Sequence, residues 1–344
     1  MNSATENFHR FYPETAVLNV TRLGNGHINE TYRVDFTRAG QRETVVLQKL
    51  NSAIFPHPEK IAANINLVAS HLRSRAYRYD ILSPISSAAV SVQDSWRVLP
   101  YFDNCTTFLS CEDSNLAAQS ARIFAHHLFC LSDLNPTRLN AIIPNFHNAT
   151  HRWQQFEFAL THAAEQRKKT ARQAIEFCYD HRSIIALYAQ INADLPLRVT
   201  HNDTKISNLL FDAESLQPRV IIDLDTLQPG TVLSEFGDML RSYCPSQGEE
   251  ETNFEQIRFR TEIFLALHSS FVSELEPILS STEMESLNHA GAITIFVQSL
   301  RFLSDYLNGN VYYRCSYEEQ NLDRAYNQQH VLLQLLQWQK NQGC

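Results

Sequence analysis

The chain has 344 residues, of which 44% are hydrophobic and 19% are charged, and its net charge is −8. This length predicts one large domain or two packed domains. The acidic balance argues against a nucleic-acid partner, and no apolar run reaches the roughly 18 residues of a membrane-spanning helix. The N-terminus lacks the basic and apolar segments of a signal peptide and the seven cysteines are scattered, so we expect a cytoplasmic protein with reduced thiols.

The first hundred residues predict a small antiparallel sheet with one packed helix. Residues 31–36 and 44–50 are rich in strand-forming residues and flank a turn at Gly40, which predicts a hairpin. Residues 90–92 and 96–100 predict a second, short hairpin. A helix is predicted to begin at Pro58, because apolar residues then recur at steps of three or four: Ile61, Ile65, Val68 and Leu72.

From about residue 103 the pattern changes to amphipathic helices. Helical spacing covers residues 116–131, 150–193, 253–273, 283–306 and 318–340, and one β-hairpin at 209–211 and 220–222 interrupts it. We therefore predict an α+β fold of two lobes. An N-terminal, nucleotide-binding lobe at residues 1–102 is joined by a hinge at about 100–104 to a larger, mostly helical catalytic and substrate-binding lobe at 103–344.

The segment from Thr200 to Asn208, with Asp223 at the end of the next apolar strand, is the most informative part of the sequence. Phosphoryl transfer from ATP needs a carboxylate for the acceptor hydroxyl, oxygen ligands for Mg²⁺ and a cation near the transferred phosphate. Asp203 is the predicted catalytic base, and Lys205 is the predicted cation. Asn208 and Asp223 offer the hard oxygen atoms that Mg²⁺ prefers.

Several residues near this segment have two interpretations. We interpret His201 and Asp238 as scaffolding that holds the backbone of the loop. Lys205 could instead be a solvated lysine. For Asp225 three roles stay open: a second metal ligand, a hydrogen-bond acceptor for the substrate, or a cap of the turn before Gly230.

The predicted nucleotide contacts come from the N-terminal part. A loop of Gly24, Asn25, Gly26 and His27 would cover the phosphates, although such a segment alone is more typical of an ordinary turn. Lys49, or as the alternative Arg33, would reach the phosphates, but strand register decides whether Gln48 or Lys49 faces the nucleotide. The interior of the following helix offers no carboxylate to pair with Lys49. The adenine would lie against the linker, at Pro100 and Phe102.

Together these motifs resemble the aminoglycoside phosphotransferase and choline kinase superfamily over roughly residues 15–335. Residues 26–32, 47–51, 201–205, 222–226 and 301–312 are specifically similar to N-acetylhexosamine 1-kinases. The resemblance implies a protein-kinase-like architecture, ATP and Mg²⁺ as cofactors, and a sugar substrate that is phosphorylated on its anomeric hydroxyl. It also implies Asp203 as the base, Asn208 and Asp223 as metal ligands, and Asp223, Arg301 and Tyr312 near the sugar.

Two classes of alternative remain. The acceptor could instead be choline, homoserine, methylthioribose or an aminoglycoside, and a cationic acceptor would need carboxylates such as those of residues 249–251, although such a run is more typical of a solvated loop. The chain could also be a catalytically silent nucleotide-binding scaffold. The complete set of Asp203, Asn208 and Asp223 speaks against the scaffold.

Overall fold

A computed structural model of the chain describes residues 2–24, 29–85 and 95–342. The N-terminal part of these ranges forms an antiparallel sheet in the order β1-β2-β3-β4, together with two helices. The elements are α1 (Asn2–Phe11), β1 (Ala16–Arg22), β2 (Glu30–Arg38), β3 (Gln41–Lys49), α2 (Pro58–Arg73) and β4 (Trp96–Pro100).

The predicted β2–β3 hairpin is confirmed, and its turn has a clear local cause. Ala39 and Gly40 both have positive φ, 50° and 80°, as a two-residue turn that matches the twist of the strands requires. The strand at residues 96–100 is also confirmed, and it pairs with β3. Its predicted hairpin partner at 90–92 lies outside the described residues.

Helix α1 was not predicted. It covers one face of the sheet and contributes to a core of its own, because Ala4 and Phe8 lie one helical turn apart and face the sheet. The buried members of this core are Ala4, Phe8, Val34, Phe36, Val45, Leu47, Trp96 and Val98.

Helix α2 packs into the larger core of the molecule. The predicted apolar stripe at Ile61, Ile65, Val68 and Leu72 is buried there. Asn64, also buried, hydrogen-bonds the backbone of the C-terminal part: its Nδ2 donates to the carbonyls of Asn140 and Leu227, at 2.9 Å and 2.8 Å. Its Oδ1 accepts from the backbone and side-chain nitrogens of Asn140.

The C-terminal part is mostly helical, and the predicted α+β architecture with a small sheet and a larger helical part is confirmed. None of the helices within the described ranges has the length and apolar character needed to cross a membrane. The elements are β5 (Cys105–Thr106), α3 (Ser114–Cys130), α4 (Ala149–His162), α5 (Glu165–Thr170), α6 (Arg172–Asp180), α7 (Ser183–Asn192), β6 (Arg198–Thr200), β7 (Leu209–Asp212), β8 (Pro218–Ile221), β9 (Gln228–Gly230), α8 (Val232–Tyr243), α9 (Thr261–Leu275), α10 (Ser281–Leu307) and α11 (Gln320–Gln342).

Three predictions for this part need correction. The helical pattern at 150–193 is divided among four helices, α4 to α7, because the backbone leaves helical geometry at Ala163 and turns again near residues 171 and 181–182. Helix α9 begins at Thr261 rather than 253, since residues 254–256 form a separate 3-10 turn. Besides the predicted β7–β8 hairpin, the short strand β5 pairs with β7, and β6 pairs with β9.

Candidate functional site

The loop between β6 and β7 carries Asp203, and buried carboxylates of helix α8 hold its backbone. Glu235 accepts hydrogen bonds from the backbone nitrogens of His201 and Asn202, at 2.5 Å and 2.9 Å. Asp238 accepts from the backbone nitrogen of Thr204 at 2.9 Å. Asp238 thus lies where our scaffolding interpretation put it, whereas Glu235 was missed, because its partners are more than thirty residues away in the sequence.

His201 joins this loop to the end of β8. Its Nδ1 accepts a hydrogen bond from the backbone nitrogen of Asp203 at 3.2 Å. The proton of a neutral imidazole then lies on Nε2, which donates to the carbonyl of Ile222 at 2.9 Å. The ring therefore fixes the spacing between Asp203 and Asp223, the residue that follows Ile222.

Two residues at the site have left-handed backbone conformation, which is uncommon outside glycine. Asn202 has φ of 66° and Asp223 has φ of 56°. Asn202 is held by hydrogen bonds from its Nδ2 to the carbonyls of Thr200 and Thr226, at 3.1 Å and 3.0 Å. A Cβ atom at Gly230 would lie 2.7 Å from Asn202 Oδ1, so only glycine permits this approach of β9 to the loop.

The loop brings three of the four predicted catalytic and metal-binding side chains into direct contact. Lys205 Nζ lies 3.0 Å from Asp203 Oδ1, and Asn208 Nδ2 donates to Asp203 Oδ2 at 2.9 Å. Burial alone would raise the pKa of Asp203, but the charge of Lys205 and the hydrogen bonds from Lys205 and Asn208 lower it below its usual range. Asp203 is therefore ionised at neutral pH.

Asp223, the fourth side chain, has the opposite electrostatic surroundings. The Asp223 residue is solvent-exposed, but desolvation by the surrounding protein and the negative charges of Asp225 and Asp203 raise its pKa to about 7, although Arg97 and Lys205 oppose the rise. Carboxylates that repel one another in this way form a site where a divalent cation would be stabilised, because its charge offsets the repulsion.

The donor set fits Mg²⁺ in particular. Asn208 uses its Nδ2 on the carbonyl and carboxylate of Asp203, which leaves its amide oxygen, like the carboxylate of Asp223, without a hydrogen bond from the described residues. Within residues 2–24, 29–85 and 95–342 no group of three or more His, Cys, Asp or Glu side chains could hold a metal ion by itself. Asn208 and Asp223 could hold Mg²⁺, which usually keeps waters and substrate phosphate oxygens as its other ligands.

Asp225 connects the site to the N-terminal part of the chain. It is only 2% exposed. Its Oδ2 accepts a hydrogen bond from Asn29 Nδ2 at 2.7 Å, and its Oδ1 lies 2.5 Å from Arg97 Nη2. Of the three roles that the sequence left open, none describes this arrangement, in which both oxygens bind the N-terminal part.

The predicted nucleotide contacts are only partly brought to this site. Lys49 does not reach the site. Its side chain is exposed on the face of the sheet that α1 covers, and its Nζ lies 5.9 Å from the centroid of the Trp96 ring. This placement does not support Lys49 as the phosphate-binding residue, because neighbouring strand residues point to opposite faces and Gln48 takes the other face. Arg33 pairs with Asp35 at 3.0 Å and stacks on Tyr101.

The remaining predicted nucleotide contacts lie in the loop and the linker. Gly24 begins its loop with φ of 64°, whereas Asn25, Gly26 and His27 lie outside the described residues. Pro100 ends β4, and the half-buried Phe102 follows in the linker, with its ring centroid 6.0 Å from the guanidinium of Arg219. The adenine site at this linker stays a prediction.

The two predicted sugar contacts lie in one aromatic and cationic cluster. The Arg301 guanidinium lies 5.3 Å from the Phe146 ring centroid and 5.6 Å from that of Tyr313, and Tyr312 packs edge-on against Tyr313. The imidazole of the next residue, His147, contacts the catalytic loop, since its Nε2 lies 2.8 Å from the carbonyl oxygen of Asn202. We predicted no role for residues 146–148; in the structure Phe146 and His147 link the cluster to the loop.

A second arginine adds to the positive charge of this cluster. Arg152 donates from Nη2 to the carbonyl of Phe146 at 2.8 Å. Burial and the nearby charge of Arg301 lower its pKa to about 10. Arg152 is therefore still a cation at neutral pH, and the surroundings of Arg301 are electropositive.

Two of the three acidic residues at 249–251 are paired with arginines. Glu249 forms an ion pair with Arg241, and Glu250 forms one with Arg324 at 2.5 Å. Glu251 accepts a hydrogen bond from the backbone nitrogen of Asn253 at 2.7 Å. Glu249 and Glu250 therefore already have cationic partners.

Comparison with known proteins shows the family and the fold of this chain. A family model described as "Phosphotransferase enzyme family" matches residues 19–261. The microcompartment-associated aminopropanol kinase is similar in structure, with a TM-score of 0.59, 14% identity and coverage of 99% of this chain and 98% of that chain. Choline kinase from Cryptosporidium parvum Iowa II has a TM-score of 0.58, 13% identity and coverage of 100% and 97%.

An ADP-bound aminoglycoside phosphotransferase, APH(2'')-Ib, has a TM-score of 0.56 and 12% identity, and the match covers 97% of this chain and 98% of that chain. At such low identities these structures show a shared fold and no more. The family model, in contrast, covers well over half of the sequence, including both Asp203 and Asp223. The chain therefore belongs to the phosphotransferase enzyme family.

Proposed function

We propose that this phosphotransferase transfers the γ-phosphate of ATP to the C1 hydroxyl of an N-acetylhexosamine, N-acetylglucosamine or N-acetylgalactosamine. The contact of Asp203 with both Lys205 and Asn208, beside Asp223, is the observation that carries the transfer chemistry. The sequence resemblance to N-acetylhexosamine 1-kinases supports the choice of acceptor.

In this proposal the chain's own residues position the reactants and offset charge. Asp203, ionised at neutral pH, orients the sugar hydroxyl and receives its proton as the oxygen bonds to the γ-phosphorus and the bond to the departing ADP oxygen breaks. Lys205 moves from Asp203 to the transferred phosphate, where negative charge is spread over the oxygens. Asn208 and Asp223 would hold Mg²⁺, which supplies neutralisation of the triphosphate charge.

The chemistry of the Arg301 cluster supports a neutral acceptor over a cationic one. Arg301 and Arg152 make this side of the loop positive, which would repel choline or an aminoglycoside. A guanidinium can donate to an acetamide oxygen or to sugar hydroxyls, and an aromatic ring such as that of Tyr312 can lie against the apolar face of a sugar. The pairing of Glu249 and Glu250 with arginines weakens the argument for a cationic acceptor.

The test is ADP release across a panel of acceptors. The panel contains N-acetylglucosamine, N-acetylgalactosamine, glucose, galactose, choline, homoserine, methylthioribose and an aminoglycoside. We expect an N-acetylated sugar to give the highest kcat/KM, by at least tenfold over the matching sugar without the acetamide group. Faster turnover of a cationic acceptor or of methylthioribose would refute the proposed acceptor but keep the phosphotransferase.

A chemically capped sugar tests the position of transfer. The 1-O-methyl glycoside of the best N-acetylhexosamine keeps every other hydroxyl but has no free C1 hydroxyl. We expect this compound to give no ADP release above the rate without acceptor. Turnover of the glycoside would mean that another hydroxyl is phosphorylated.

A further inference from the structure

The two faces of the N-terminal sheet carry different cations. Lys49 lies opposite Trp96 in the register of β3 and β4, on the face that α1 covers. Gln48 lies opposite Arg97, and both point to the other face, where Arg97 meets Asp225 of the C-terminal part. The sheet therefore directs an arginine from β4, and not the lysine from β3, toward the site.

Neighbouring polar groups fix the guanidinium of Arg97. Its Nε and Nη2 donate to Gln48 Oε1, at 2.8 Å and 2.5 Å, and Gln48 in turn donates to Thr31 Oγ1 at 3.0 Å. The Arg97 guanidinium also forms an ion pair with Asp225, whose Oδ1 lies 2.5 Å from Nη2. Such a network keeps one rotamer of a long side chain, so less conformational entropy is lost when a ligand binds.

One end of this guanidinium has no partner among the described residues. Arg97 is 8% exposed, and its Nη1 is buried without a hydrogen bond from any of the described residues. A buried unpaired donor on a charged group is costly, so its presence indicates a ligand that supplies the acceptor. Arg97 also lies near the proposed metal ligand Asp223, because its ion-pair partner Asp225 is only two residues further along the chain.

We propose that Arg97 is the residue of the N-terminal sheet that binds the nucleotide phosphates, with Gln48 and Asp225 as its positioning residues. The planar, permanently charged fork of arginine matches phosphate oxygens, which are the acceptors that Nη1 lacks. This inference rests on the use of ATP in the proposed function, and it is independent of the identity of the acceptor.

The test compares binding of ADP, AMP and adenosine to the full chain by titration calorimetry, without any acceptor. For Arg97→Gln we expect ADP to bind about ten- to a hundredfold more weakly, as for loss of a hydrogen bond to a charged group, while adenosine binding changes less than twofold. The matched control is Arg42→Gln, because Arg42 is exposed on β3 near the Gly40 turn. We expect this control to bind all three ligands as the unaltered chain does.

Two further variants make the result decisive. Arg97→Lys keeps the charge but loses the fork, so we expect a smaller, severalfold loss for ADP alone. Asp225→Asn removes the positioning charge, and we expect a loss for ADP that does not add to that of Arg97→Gln in the double variant. If Arg97→Gln fails to fold, as judged by circular dichroism, Arg97→Lys decides the question by the same ADP-to-adenosine ratio.

Other outcomes overturn the inference. Equal losses for ADP and adenosine would mean that Arg97 only supports the fold. Unchanged ADP binding in Arg97→Gln, with a large loss in Lys49→Gln, would return the role to Lys49. These failures differ from failure of the proposed function, which would show itself as an unaltered chain that binds no ADP or that binds ADP but phosphorylates no N-acetylated sugar.

Discussion

The amino group of Lys205 lies 3.0 Å from Asp203 Oδ1, so the two charged groups expected to act on opposite reactants are paired with each other. The pair keeps Asp203 ionised and raises the pKa of Lys205 above its usual range. For transfer to occur, Lys205 has to exchange the carboxylate for a phosphate, which would free Asp203 for the acceptor hydroxyl.

Replacement of Asp203 tests the base directly. In Asp203→Asn the side chain keeps its shape but cannot take a proton, so we expect kcat to fall by about 10²- to 10⁴-fold. ADP binding should change by less than about threefold. The control is Glu214→Gln, which removes a carboxylate from an exposed turn. Near-normal turnover of Asp203→Asn, measured as ADP release, would contradict the assignment.

Loss of the Lys205 charge should change the pH dependence as well as the rate. After burial, Lys205 is the largest influence on the pKa of Asp203, and it lowers that pKa. In Lys205→Met the pKa of Asp203 therefore rises, and the acid limb of the kcat/KM profile should move to higher pH. A lower rate with an unmoved acid limb would mean that the two groups are not coupled.

Binding of Mg²⁺ should strengthen with pH through the range around 7. The pKa of Asp223 is raised to about 7, so protons compete with the cation below that pH. We therefore expect added Mg²⁺ to raise Tm more at pH 8 than at pH 6. Equal effects of Mg²⁺ at both pH values would argue against Asp223 as a ligand.

A pair of glycines tests the close approach of β9 to the catalytic loop. In Gly230→Ala the new Cβ would lie 2.7 Å from Asn202 Oδ1, which would displace the left-handed Asn202 beside Asp203. We expect a loss of about 1–3 kcal/mol in unfolding free energy, together with lower kcat. Gly248→Ala is the matched control, because a Cβ there would have no neighbour within 4 Å. Denaturant unfolding of the two variants measures the difference, and equal stabilities would contradict the steric argument.

Arg301 should affect the acceptor and not the nucleotide. In Arg301→Gln we expect KM for the N-acetylated sugar to rise by about tenfold or more, from loss of a charged donor, with KM for ATP unchanged. The Tm should not fall, because the variant also removes the repulsion between Arg301 and Arg152. Arg73→Gln, at an exposed position near the end of α2, is the control. A fall in Tm with unchanged sugar KM would make Arg301 a structural residue.

Local spacing was enough to predict the centre of this site. Asp203 and Asn208 lie in the short loop before β7, and Asp223 lies two residues after the end of β8. Because β7 and β8 pair as a hairpin, these residues come together. Helix α2 was also readable because it buries a regular apolar stripe, whereas α10, which is buried on all sides over residues 290–300, was readable from its long apolar content. Helix α1 was missed, since its short stripe of Ala4 and Phe8 has meaning only beside a sheet.

The parts that could not be predicted depend on contacts between distant segments. Nothing near Glu235 in the sequence indicates that it holds the backbone of His201 and Asn202. Arg97 likewise looks like an ordinary strand residue until the register of β3 and β4 is known and Asp225 is placed beside it. Strand register also determines that Lys49 faces away from the site, because neighbouring residues of a strand point to opposite faces of the sheet.

The hydrogen bonds that attach Asn64 of helix α2 to the C-terminal part do not depend on charged groups. The four hydrogen bonds between Asn64, Asn140 and Leu227 involve only uncharged amides. None of these groups titrates in the physiological range, and Debye screening has little effect on them. These four contacts are therefore made when the chain folds, and neither acidification nor a rise in ionic strength weakens them directly.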